Sequence, residues 1–265
     1  MASDDAVGIG EEVKRNGDRV QVGDVKDEIS VLFDGWEETM VWSCLQGHMG
    51  HVMTDGKRPP KAAQVVIGDF CFFAGQPDEK LIRQAGAPIL TPQNEAWCQK
   101  IEQVLGGRIY KTTRYSIKKE PEVFEPQRLI GFTKAIPQGY ELKMIDRDIY
   151  NSVIGQEWSR DLCSQFEEFE DFYERGLGVV ALHKGSPVSG ASSYTIYSGG
   201  IEIEIDTKPE FRRKGLARAC GAKLILECLD RGLYPSWDAH DLRSVALAEQ
   251  LGYHRNAEYP VYMKQ

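Results

Sequence analysis

Gly200-Ile201-Glu202-Ile203-Glu204-Ile205-Asp206-Thr207-Lys208-Pro209-Glu210-Phe211-Arg212-Arg213-Lys214-Gly215-Leu216-Ala217 is the stretch from which the rest of the chain can be placed. In its first part isoleucines alternate with acids, the period of a strand with one buried face. A basic, glycine-bearing turn follows. Beyond it Leu216, Ala219, Cys220, Lys223, Leu224, Glu227 and Cys228 keep helical spacing, and Leu226 and Leu229 widen the apolar side. The order is strand, turn, helix. The first N–H groups of a helix have no intrahelical acceptor and sit at the positive end of its dipole. A glycine lets a ligand approach the backbone, and flanking Arg and Lys add formal charge, so the turn suits a diphosphate. Taken alone, the same turn also fits a helix that simply begins in solvent.

The surroundings of the turn narrow the choice. Arg212-Arg213-Lys214-Gly215-Leu216-Ala217 fits the pattern Arg/Gln-x-x-Gly-x-Gly/Ala, and the strand and Pro209-Glu210-Phe211 precede it. Downstream come Leu233-Tyr234-Pro235-Ser236-Trp237-Asp238-Ala239, then Asp241-Leu242-Arg243-Ser244, then Leu247-Ala248-Glu249-Gln250-Leu251-Gly252-Tyr253. In order and spacing this half resembles the GNAT acetyltransferase superfamily. The resemblance implies an α/β fold with a mixed, mostly antiparallel sheet flanked by helices, and acetyl-CoA as co-substrate. It puts the diphosphate at Arg212, Arg213, Lys214, Gly215, Leu216 and Ala217. The pantetheine arm would run as an extra strand along Ile205, Asp206 and Thr207, and Asp241 and Ser244 complete the implied cofactor set.

The implied activity is direct acetyl transfer to a primary amine of a small molecule or peptide. A thioester is already activated, so holding the amine in line supplies much of the rate. What remains is a route for the amine's proton and polarisation of the thioester oxygen. Glu202 and Glu204 are the catalytic candidates, on the face of the strand opposite the isoleucines. That face could equally be solvated. His183 and Asp238 are lesser candidates. Where many members carry a tyrosine as thiolate acid this chain has Ala248, and Asp241 stands at the usual Asn; Tyr253, Tyr259 and Tyr262 are the possible substitutes. The alternative function is an acyl-CoA-binding module whose chemistry has lapsed and whose first half binds a partner.

A net charge of −8 and a pI near 5.3 exclude a general nucleic-acid binder, which needs a basic face. The six cysteines, Cys44, Cys71, Cys98, Cys163, Cys220 and Cys228, form no Cys-x-x-Cys and read as buried thiols of a reducing compartment. His48 and His51 have a spacing a metal could use, but nothing nearby completes a ligand set, and no metal is expected. Neither a signal peptide nor an apolar run of membrane-spanning length is visible, so the expected setting is cytoplasmic, with no membrane partner. A homodimer is left open.

Three segments are expected. Residues 1–29, polar and glycine-bearing, read as a mobile leader. Residues 30–126 read as an α/β domain: a helix over Ser30 to Gly47, strands at His51 to Thr54 and Gln64 to Ala74, a helix from Pro77 to Gln84, a strand at Pro88 to Thr91, a helix from Gln93 to Leu105, and a strand from Arg108 to Ile117. Lys118 to Pro126 reads as a linker. Residues 127–265 carry the GNAT-like half: a strand at Pro137 to Ile145, a helix over Glu157 to Arg175, and a hairpin of Gly178 to His183 with Val188 to Tyr197. There Leu233 to Ala239 runs parallel to the Gly200 to Thr207 strand, and Val261 to Gln265 finishes the sheet. The acids at Glu167, Glu168, Glu170, Asp171 and Glu174 are either a solvated helix face or part of an acceptor site. Both halves share the order strand, helix, short strand, helix, so the first half could be a degenerate copy of the second. Its own turn, Gly75-Gln76-Pro77-Asp78-Glu79, is acidic and lacks one N–H at the proline.

Overall fold

The computed structural model describes residues 27–265; the leader expected over 1–29 lies, apart from its last three residues, outside the described residues. The first half carries a 3-10 turn at Val31–Phe33 and helix α1 (Thr39–Gln46) in place of one long helix. Strands β1 (His51–Thr54), β2 (Ala62–Ile67) and β3 (Phe70–Gly75) form an antiparallel meander. The single strand expected over Gln64 to Ala74 is therefore a hairpin. Gly68-Asp69, the only break in that apolar run, is its two-residue turn. Helix α2 (Glu79–Gln84), strand β4 (Ile89–Pro92), helix α3 (Glu95–Leu105) and strand β5 (Ile109–Ile117) follow, with Asp78 and Asn94 capping the two helices.

The segment read as a linker is packed. Lys118 donates its N–H to the His254 carbonyl at 2.9 Å, and Phe124 is buried in the core of the second half. Helix α4 (Pro126–Lys134) opens the second half, then strand β6 (Tyr140–Met144) and helix α5 (Arg147–Ile154). The long helix expected over Glu157 to Arg175 is instead a 3-10 turn at Arg160–Leu162 and a short α6 (Phe169–Arg175). Side chains here compete for the backbone: Ser159 Oγ donates to the Val153 carbonyl at 2.8 Å, and Asp171 accepts the Glu167 N–H at 3.1 Å.

Strands β7 (Gly178–His183), β8 (Ser186–Tyr197) and β9 (Gly200–Thr207) then run as the expected meander. Helix α7 (Leu216–Asp230) packs on this sheet and against α4. The stretch after α7 divides. Tyr234–Ser236 (β10) pairs parallel to β9, and Asp238–Ala239 (β11) pairs antiparallel to β5 in the other sheet. Helix α8 (Leu242–Leu251) and strand β12 (Arg255–Lys264) complete the described chain.

The sheets run β1-β2-β3-β4-β12-β5-β11 and β10-β9-β8-β7-β6, so the fold is mixed α/β and mostly antiparallel, with helices on its faces. The order β3-α2-β4-α3-β5 has the same connectivity as β9-α7-β10-α8-β12, and in both the first two strands are parallel neighbours. The final strand does not finish the second half's own sheet. It lies between β4 and β5 of the first half, while β5 borders β11 of the second. The second half thus gives its last strand to the first half's sheet, and β5 carries that sheet on to β11. Burial explains why β12 belongs there. Successive side chains point to opposite faces, so Tyr262 enters the core beneath α2 and α3 while Val261 enters the one beneath α1.

Candidate active site

Strand β9 and the turn after it build one wall of a cleft of about 870 Å³. Pairing of β9 with β10 runs from Gly200↔Tyr234 to Glu202↔Ser236 and stops. From Ile203 to Thr207 the strand pairs only with β8, so its other edge carries backbone groups with no strand partner. The gap opens because Trp237 turns the chain from β10 into β11, toward β5.

At one end of the gap lies the basic turn. Arg213 and Gly215 both take left-handed backbone angles, φ 59 and φ 78, and Gly215 is the N-cap of α7. A Cβ at Gly215 would meet nothing closer than Arg218 Nη2 at 3.8 Å, so the backbone angle, rather than crowding, is what asks for glycine. The first intrahelical bond is from the Ala219 N–H to the Gly215 carbonyl at 3.1 Å. The N–H groups before it have no intrahelical acceptor, and Gly215 to Arg218 line the cleft. Arg212 Nε is held by the Thr207 carbonyl at 3.1 Å. Asp241 caps α8 by accepting the N–H groups of Arg243 and Ser244, and Ser244 Oγ accepts from Trp237 Nε1 at 3.1 Å.

Every residue singled out in the sequence as catalytic or cofactor-binding lines this cleft except Lys214, whose Nζ lies over the Phe211 ring at 5.3 Å instead. The lesser candidates fare differently. His183 Nδ1 contacts the Gly139 carbonyl at 3.2 Å and is not on the cleft wall. Asp238 is on the wall, but both its oxygens are engaged, by Arg114 Nε at 2.6 Å and by the Tyr259 hydroxyl at 2.6 Å. The substitute tyrosines are committed elsewhere as well. Tyr253 donates to the Pro235 carbonyl, Tyr259 to Asp238 and Tyr262 to Glu102, and none lines the cleft. Ala248 is fully buried in the core of the second half.

The other end of the cleft is acidic and is closed by the first half. Helix α1 packs across β8 and β9 on the face away from α7, and Thr39 Oγ1 donates to Glu202 Oε2. Glu202 is 5% exposed, and its second oxygen, Oε1, has no hydrogen-bond partner. Burial lifts its carboxyl well above the usual carboxylate range, with Asp238 adding like charge and the Thr39 hydroxyl opposing. Burial also pushes Glu204 up to about 8; Asp206 and Asp161 add to the shift, and Arg114 opposes it. Asp206 rises to about 6 through burial and Asp161, against Arg212.

Sequence reasoning passed over Asp69, Arg114, Asp161 and Tyr194, all of which line this end. Tyr194 is the extra residue of a β-bulge between Ser193 and Thr195, and its hydroxyl accepts the Asp69 N–H at 2.9 Å. The turn of the first-half hairpin is thereby fixed to the second half. The one local signal was the polar Gly68-Asp69 pair inside an apolar run. The acids of the Glu157 to Arg175 segment divide: Asp161 lines the cleft, whereas Glu170 and Asp171 pair with Arg147 and Arg175 on the outside.

The sequence matches the GNAT acetyltransferase family model over residues 30–262. The chain belongs to the GNAT acetyltransferase family. A solved structure, a GCN5-related N-acetyltransferase-like protein from Streptococcus suis 89/1591, is 46% identical with a TM-score of 0.89, covering 92% of this chain and 99% of that one. A curated relative, the uncharacterized N-acetyltransferase YdfB of Bacillus subtilis (strain 168), is 27% identical over 199 residues, 72% of this chain and 71% of its own length. A GCN5-related N-acetyltransferase from Kribbella flavida shares the fold at 15% identity and a TM-score of 0.56, covering 86% of this chain and 94% of that one. The GNAT chain described here is therefore an acyltransferase of the acetyl-transferring kind. No helix among its described residues is long and apolar enough to cross a membrane. No group of three or more His, Cys, Asp or Glu among them is placed to hold a metal, and the six cysteines are buried without disulfides.

Proposed function

We propose that this GNAT protein moves the acetyl group of acetyl-CoA directly to a primary amine of a small molecule or a peptide end. The observation that carries the reading is the unpartnered edge of β9 lying between a basic helix N-terminus and two carboxyls, Glu202 buried and Glu204 half-buried. The diphosphate is held by the amides of Arg213 to Ala217 with Arg212 beside them, and Asp241 and Ser244 form the facing wall. The pantetheine arm pairs with the backbone of Ile205, Asp206 and Thr207, which brings the thioester beside the middle of β9. A backbone N–H of that strand polarises the carbonyl oxygen.

The amine attacks the carbonyl carbon; the C–N bond forms, the C–S bond breaks, and the sulfur leaves as thiolate. The amine must be neutral to attack, so its proton goes to Glu202 or Glu204, directly or through water. Carboxyls lifted toward neutrality suit this role, since a base works best when its pKa lies near the operating pH. In this reading none of Tyr253, Tyr259 and Tyr262 protonates the thiolate, because each is bonded away from the cleft.

The test is thiol release from acetyl-CoA over a panel of amines, with Glu202→Gln and Glu204→Gln alongside. At least one variant should bind acetyl-CoA normally and lose about 10²–10⁴-fold in turnover. The loss should shrink at higher pH as free amine becomes abundant. Full turnover in both variants across the pH range would remove these carboxylates from the mechanism. No thiol release with any amine, despite tight CoA binding, would favour an acyl-CoA-binding module in its place.

A further inference from the structure

The acceptor end of the cleft holds more carboxyl groups than one proton-accepting base requires. Asp69 comes from the first-half hairpin turn, Asp161 from the 3-10 turn of the second half, and Glu202, Glu204 and Asp206 from β9. Among the described residues Arg114 is the one cation on the wall at this end, and its Nε is already committed to Asp238 at 2.6 Å. Arg212, Arg213 and Arg218 stand at the diphosphate end.

The acids also act on one another. Asp161 adds like charge to the carboxyl of Asp69 on one side, and to those of Glu204 and Asp206 on the other. Asp69, Asp161, Glu204 and Asp206 all line the same cleft. Asp69 does not arrive there by drift, since the Tyr194 hydroxyl accepts its N–H and a side chain at Gly68 would collide with that same hydroxyl at 2.2 Å. Glu202 lines the same cleft, is 5% exposed and has Oε1 unpartnered. A buried carboxylate oxygen without a donor leaves a place for a hydrogen-bonding guest.

We propose that the acceptor is a cation with at least two amino groups, one ammonium held by Asp69 and Asp161 while the amine to be acetylated lies over Glu202 and Glu204. The first half then serves as the acceptor-reading part of the molecule. A monoamine fills only the reacting position and leaves Asp69 and Asp161 unused. This inference rests on the acetyl-transfer reading for the identity of the reacting amine; the ammonium subsite itself is a binding claim and can be measured without turnover.

The probes are 1,4-diaminobutane and n-butylamine, which share a chain length and differ by one amino group. Each is titrated calorimetrically into the CoA-loaded protein, and thiol release from acetyl-CoA is followed separately. Wild type should bind the diamine about 10- to 100-fold more tightly, the worth of one charge-assisted hydrogen bond. Asp69→Asn and Asp161→Asn should each remove most of that ratio, with CoA titrations reporting that the variants are folded. Equal affinity for the two amines, no binding of the diamine, or a ratio that survives both substitutions overturns the ammonium subsite. Diamine binding that is lost in Asp69→Asn supports the subsite even if no thiol is released, and in that case the transfer reading is what fails.

Discussion

In the folded protein Glu204 gives up its proton only near pH 8, whereas an unperturbed glutamate does so near 4.5. Between those values the folded state holds a proton that the unfolded chain has released. Stability contributed at this site is therefore highest below pH 4.5 and falls as pH rises toward 8. A shift of this size corresponds to a cost on the order of 3–5 kcal/mol at alkaline pH. Glu204→Gln, which keeps the shape and drops the charge, should stabilise the unliganded protein at pH 8.5 and leave it near wild type at pH 5. Urea unfolding at the two pH values checks this; an equal effect at both would mean that Glu204 is not strained by ionising. Glu202 should follow the same sign, since burial and Asp238 raise it too.

At the scale of the element, the turn into α7 makes two commitments. Gly215→Glu meets no crowding, because its Cβ position is empty apart from Arg218 Nη2 at 3.8 Å. The left-handed angle of 78 costs the variant about 1 kcal/mol, too little to unfold it. Its carboxylate would stand at the helix N-terminus where the diphosphate is proposed to lie. CoA affinity should fall at least about 100-fold while the melting temperature changes by a few degrees; calorimetry with unaltered affinity would take the diphosphate away from this turn. The matching turn of the first half should hold none. There the Gly75 N–H donates to Gln93 Oε1 at 3.1 Å, the Gln76 N–H donates to the Lys61 carbonyl at 2.8 Å, and Asp78 caps α2. With its donors spent and an acid in place, the protein should titrate with one CoA per chain, and a second equivalent bound would contradict this. The strand, turn and helix of the second half were legible because their periods change within a few residues. Helices α4 and α5 were not read, although Pro126 at the first turn of one and the Asp146 cap of the other are standard start signals. Each is short, and neither carries a long apolar stripe. The acceptor wall was illegible for a different reason: Asp69 and Asp161 are 92 positions apart and meet only through tertiary packing.

Across the whole molecule, the pair most exposed to disruption ties the halves together. Arg114 on β5 and Asp238 on β11 are 11% and 7% exposed at their side chains, with Nε–Oδ1 at 2.6 Å. Removing one partner from such a pair leaves a buried charge and typically costs about 3–5 kcal/mol. Arg114→Met should lower stability by that order in urea unfolding. It should unfold both halves in one transition, because they share a sheet; two separate transitions would show that the halves are independent. The C-terminal strand was assigned to its own half in the sequence because nothing local reveals a partner strand. Its register with Ile109–Ile117 depends on residues more than a hundred positions away.

The place of β12 has a consequence during synthesis. When β1 to β5 have left the ribosome, β4 and β5 each present a bare edge to the cell, since the strand that joins them is made only after β6 to β11. Unpaired strand edges are templates for association. The cell must keep the nascent first half apart from its copies for roughly 140 further residues, ~7–30 s at ordinary elongation rates. Abundance in vivo should then depend on how well nascent chains are shielded, in addition to the stability of the finished protein.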